Sequence, residues 1–220
     1  MLLLISFLIS TNFILLTVPS EVRAQSINGG LSISNNTVSA TNLSQRTYTN
    51  PTYGIILKYP DNWTFVPGSI FQKTLESATK SFPQMIPKLL PLHFVAYLYP
   101  NAIVVSNRTI APTFVELLAI DNNNKSSLPI YVNDTLNQIK TNSINFTLLD
   151  KGSSTRLAGN VAEKMAFRYV PAYESRLIHT MSIAAIKGNK IYIFVFSSSP
   201  QSYGKYIRGA EGIKDSLIIK

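Results

Sequence analysis

Residues 177–217 leave little freedom in how this chain folds. Leu177 to Ile186 is rich in β-formers, Lys187-Gly188-Asn189-Lys190 follows, and Ile191 to Phe196 reads Ile-Tyr-Ile-Phe-Val-Phe. Gly188-Asn189 is the kind of pair that a two-residue turn between antiparallel strands requires. A run this apolar has no face to offer water, so Ile191–Phe196 is expected in the middle of a sheet, buried on both sides. Ser199 then caps a helix whose first position is Pro200. Tyr203, Tyr206, Ile207, Ala210, Ile213 and Leu217 recur at helical spacing while Lys205, Arg208, Glu211 and Lys214 point away. That helix must dock on the sheet it follows.

Other stretches add strands and corners. Gly54 to Tyr59 alternates Ile55, Leu57 and Tyr59 against Ile56 and Lys58, then stops at Pro60. Asp61-Asn62 turn the chain, and the single tryptophan, Trp63, follows with a short strand over 64–66. Ile70, Phe71, Leu75 and Ala78 fit one helical face, and Pro83, Pro87 and Pro91 break the chain beyond it. His93 to Tyr99, Phe114 to Ile120, Phe146 to Leu149 and Val161 to Val170 read as strands. A short helix through Leu136 and Ile139, with Asp134 as N-cap, is expected to end near Thr141. The sum is α+β: a central antiparallel sheet flanked by helices.

The N-terminus carries an address. Residues 1–18 are mostly apolar, Pro19 interrupts them, and Val22-Arg23-Ala24 offers small residues for cleavage between Ala24 and Gln25. Residues 1–24 are read as a signal peptide or N-terminal anchor, and either places the body of the protein outside the cytoplasmic membrane, secreted or tethered to its outer face. Residues 25–47 are an Asn/Ser/Thr-rich linker too poor in large apolar side chains to fold alone. Residues 48–220 form one domain. Asn35, Asn42, Asn62, Asn107, Asn124, Asn133 and Asn145 each open an Asn-x-Ser/Thr sequon. Seven is twice the roughly three that 18 Asn and 41 Ser plus Thr supply by chance. With no cysteine, disulfides and thiolate metal sites are excluded, and the domain must be held by burial alone.

Net charge is +9, and residues 151–220 hold eleven basic against four acidic side chains. That basic third suits an anionic surface, but it contains no basic run or aromatic interleaving of a nucleic-acid binder. His93 and His179 lack ligand spacing, so no metal ligand is assigned. Glu116, inside Phe114-Val115-Glu116-Leu117-Leu118, is expected to reach solvent from a one-sided strand, or else to be half-buried with a basic partner. Ser197-Ser198-Ser199 has no nucleophile-elbow context, and Gly152 and Gly159 are isolated turn glycines, not a phosphate loop. No catalytic residue is assigned and no cofactor is implied. Tyr97, Tyr99, Tyr169, Tyr173, Tyr192, Tyr203 and Tyr206 concentrate in the sheet and last helix, where an aromatic groove could hold a small hydrophobic ligand.

The order of these features resembles a known family. Tyr53-Gly54 leads to Tyr59-Pro60-x-x-Trp63; Leu157-Ala158-Gly159 turns between two later strands; the Gly188-Asn189 hairpin follows; and the closing helix ends in Asp215-Ser216-Leu217. Together, over residues 48–220, they look like the PsbP-like domain of the extrinsic P subunit of the oxygen-evolving complex and its exported relatives. The resemblance implies an α/β/α sandwich around an antiparallel sheet. It also implies a non-enzymatic module that binds or stabilises a protein partner at the cell envelope. Archaeal relatives commonly share the plan of leader, polar linker and domain. The alternative is a carrier of a lipid or small hydrophobic ligand, held between the sheet and the C-terminal helix. No photosystem role is carried over, because the segments that serve it are not matched here.

Overall fold

The computed structural model describes residues 44–67, 92–100, 113–172 and 175–220. The leader, most of the linker, the helix expected around 70–78 and the proline-broken stretch after it lie outside these residues.

Strands β1 (Gln45–Asn50) and β2 (Ile55–Pro60) are joined by a 3-10 turn, Pro51–Tyr53. They form a three-stranded sheet with β10 (Ile218–Ile219), in the order β1-β2-β10. Strands β3 (Trp63–Pro67), β4 (Leu92–Pro100), β5 (Phe114–Asp121), β6 (Ser143–Leu157), β7 (Asn160–Pro171), β8 (Ile178–Lys187) and β9 (Lys190–Ser198) form the large sheet. Its order is β3-β4-β5-β9-β8-β7-β6, and every pairing is antiparallel. Asp61-Asn62 therefore do more than reverse a strand: they carry the chain from the small sheet into the large one.

As its composition demands, β9 is the fourth of seven strands and is buried on both faces. Ile191, Ile193 and Val195 enter one core, and Tyr192, Phe194 and Phe196 enter the other. Each such side chain contributes roughly 1.5–3 kcal/mol by leaving water. Helix α1 (Leu128–Thr141) packs over β6, β7 and β8 and closes the first core with Tyr131, Val132, Leu136 and Ile139. Helix α2 (Pro200–Asp215) packs on β8, β9 and β2, so it and the small sheet share the second face. Ser199 Oγ accepts the Ser202 N–H, the cap read from the sequence.

Two local expectations are corrected. Helix α1 opens at Leu128 behind Ser127, and Asp134 is an exposed mid-helix residue instead of the N-cap. Tyr131, Val132 and Thr135 are buried along with Leu136 and Ile139, so the apolar stripe begins a full turn earlier, and Pro129 in the first turn marks the start. Strand β6, expected over 146–149, runs to fifteen residues; three register shifts break the alternation that would mark its full length in the sequence.

Candidate functional site

The buried titratable groups lie inside the fold. Glu116 is 0% exposed, contrary to either arrangement expected for it. Strand β5 is flanked by β4 and β9 and buried on both faces, so its alternation offers no solvent side. Glu116 shares the face of Phe114 and Leu118, beneath α1. The phenols of Tyr99 and Tyr131 are pushed up chiefly by burial, with the charge of Glu116 adding to it. The tyrosines do not form one groove: Tyr99 and Tyr169 lie under α1, whereas Tyr192, Tyr203 and Tyr206 lie on the α2 side. Strand alternation separates them, and the side chains of Tyr97 and Tyr173 are outside the described set.

The serine run is structural. Ser197 Oγ pairs with Thr180 Oγ at 2.9 Å, Ser198 Oγ pairs with Thr113 Oγ at 2.6 Å, and Ser199 caps α2. His179, on β8, stacks on Tyr203, and its pKa is pushed down to about 4 by burial and then by Arg168 across the ladder. His93 sits on β4, opposite Ala119. Among the described residues no three His, Cys, Asp or Glu side chains gather as a metal site would need. An open pocket of about 340 Å³ lies where the end of α2 meets the β6–β7 turn, lined by Arg156, Lys214, Asp215 and Ile218 among others.

The motif residues lie at the corners of the fold. Tyr53 ends the 3-10 turn and Gly54 follows in the left-handed region. Tyr59 and Pro60 close β2, and buried Trp63 opens β3 against the edge of Tyr206. Gly159 turns β6 into β7, and Gly188-Asn189 turn β8 into β9. Of the sequons, Asn62, Asn124, Asn133 and Asn145 are exposed; Asn35, Asn42 and Asn107 fall outside the described residues. Asn133 lies on α1 with the hydroxyl-bearing Thr135 of its sequon buried.

What the sequence did not disclose is the outer edge of the large sheet. Strand β6 is the last strand, and Ile144, Leu148 and Leu149 stand 49%, 40% and 46% exposed along it. Asn145 and Gly152 adopt positive φ at two of its register shifts. An Asn and a Gly inside a strand-like run were the available signal.

No family model matches the sequence, and no curated protein matches it. Among solved structures, the chain is similar to cyanobacterial PsbP (CyanoP) from Synechocystis sp. PCC 6803, at 12% identity and a TM-score of 0.49 over 84% of this chain and 99% of that one. The domain is similar in fold to PsbP. It is also similar to PA94 of Pseudomonas aeruginosa, a protein of unknown function, at 11% identity and a TM-score of 0.47 over 80% of this chain and 97% of that one. A third is LpqN of Mycobacterium tuberculosis, involved in cell envelope biogenesis, at 12% identity and a TM-score of 0.45 over 80% and 91%. Among the described residues no helix is long and apolar enough to cross a membrane.

Proposed function

We propose that this is a non-enzymatic, exported PsbP-like module that holds a protein partner against the outer edge of its large sheet. The observation that carries the reading is β6: an edge strand with Ile144, Leu148 and Leu149 facing water. Exposed apolar side chains grouped on one strand mark an interaction surface more than a solvated one. Its bulges keep the edge from templating an open-ended run of further strands, so recognition falls to side chains. Export follows from the leader, residues 1–24, and the partner is an envelope protein. The carrier alternative would need space under α2. The sheet-facing side of α2 is instead packed with Tyr203, Tyr206, Ile207, Ala210 and Ile213.

The test is affinity recovery from native membranes with the wild type and with Ile144→Ser/Leu148→Ser/Leu149→Ser. One stoichiometric protein captured by the wild type and lost from the triple variant supports the reading. A partner retained by the folded triple variant removes β6 from it.

A further inference from the structure

We infer that the α2 side of the domain is a second docking face, and that it lies on an anionic phospholipid surface. Exposed Lys58, Arg168, Lys205 and Arg208 form no ion pair among the described residues. All four border α2. Arg168 stands opposite His179, whose ring lies on Tyr203 in the first turn of the helix. Lys205 and Arg208 occupy its middle, and the Lys58 backbone is bonded to Ser216 at its far end. The cations therefore follow the length of a sixteen-residue helix, a strip about 24 Å long.

Acids on this side are mostly occupied. Asp61 is paired with Arg46, Asp150 with Lys164, and Asp215 with Lys214, which leaves Glu211 among the described residues. The α1 side is balanced by comparison, with Lys125, Lys140 and Lys151 against Asp134 and Glu163.

Two features select a headgroup plane over an acidic protein. The charges are spread along a strip and do not converge on a pocket, which suits a continuous anionic surface better than a point ligand. A protein interface would also need a buried apolar or aromatic centre. Of the exposed large apolar residues among those described, Ile218 follows the end of α2 and Leu177 precedes His179 near its start, so the two do not form one centre; Ile144, Leu148, Leu149 and Val161 lie on β6 and β7, and Ile130 on α1. With β6 left clear, one domain can face lipid and partner at once.

The test is flotation of the full chain with phosphatidylcholine vesicles, with or without about 30% phosphatidylglycerol, at low and high salt. The apolar leader adds the same term to both vesicle types, so the ratio reads the face. The expected result is preference for the anionic vesicles, weakened by salt. Lys205→Gln/Arg208→Gln should weaken it about 25-fold, at about fivefold per cation, and Lys140→Gln/Lys151→Gln should not. Equal binding to both vesicle types, no binding to the anionic ones, or equal loss in the two variants overturns the inference. So does a Lys205→Gln/Arg208→Gln protein that floats normally but no longer captures an acidic protein. The β6 substitutions should leave flotation unchanged, which separates failure of this inference from failure of the partner reading.

Discussion

The imidazole of His179 lies flat against the phenol of Tyr203, with ring centres 3.5 Å apart and planes 11° from parallel. Phe196 also packs against Tyr203, tilted at 49° with ring centres 5.1 Å apart, so the first turn of α2 is fixed to the sheet through an aromatic cluster. A proton on His179 would put a cation into that stack beside Arg168. Its folded pKa is accordingly about 4, against 6.5 for a free imidazole. Above pH 6.5 neither folded nor unfolded chain protonates it, and stability is indifferent to it. Between 6.5 and 4 the unfolded chain binds the proton and the folded one does not, so stability falls as pH falls. Urea unfolding at pH 7.5 and 4.5 should show a steeper loss for the wild type than for His179→Phe, which keeps a ring in place and cannot titrate. Equal losses would mean that the stack does not resist protonation.

Ser216 completes a ladder that the backbone leaves unfinished. Strand β10 pairs with β2 only at Ile218↔Ile56 and Ile219↔Ile55. At Lys58 the ladder position is taken by Ser216 Oγ, which accepts the Lys58 N–H at 2.8 Å and lies 2.9 Å from its carbonyl. Ser216→Ala removes a partner from the Lys58 backbone and unpins the end of α2 from the small sheet. The expected cost is about 1–2 kcal/mol, read as a lower urea midpoint with unchanged slope.

Helix α2 tolerates its glycines unequally. A Cβ at Gly204 or Gly212 meets nothing within 4 Å, whereas one at Gly209 would sit 3.3 Å from the Trp63 ring. Gly204→Ala and Gly212→Ala should each stabilise by about 0.5–1 kcal/mol, because only the helix propensity changes. Gly209→Leu should destabilise by about 1–3 kcal/mol as Trp63 is driven from its place. Thermal midpoints that rise for all three would show that Trp63 can move aside without loss.

Elements that obey one rule were legible in the sequence; those that mix two were not. Ile191–Phe196, the Gly188-Asn189 turn and the Ser199-Pro200 cap each follow from local chemistry, and the structure places all three as read. Glu116 is buried, against the solvent position that a lone acid suggests, because the apolar residues of both parities around it exclude a solvent face. The sheet edge was hidden for a different reason. Alternation is the signal that marks a strand, and each shift of register in β6 exchanges its inward and outward positions. The split into two sheets depends on β2 meeting β10 across most of the chain, a pairing no local pattern encodes.

The same shifts make β6 sensitive to its two left-handed residues. Gly152, at φ +70°, carries no Cβ, and one built there would lie 3.1 Å from Glu163 Oε2. Asn145, at φ +54°, already bears the cost of a side chain in that region. Gly152→Ala should therefore lose about 1–2 kcal/mol, while Asn145→Gly should hold or gain slightly, because glycine adopts positive φ without penalty. Urea midpoints of the two variants decide the point. If Gly152→Ala is neutral, the bulge is not enforced by its backbone. The edge that presents Ile144, Leu148 and Leu149 is then a soft feature, one that a partner would have to order on binding and would not find already formed.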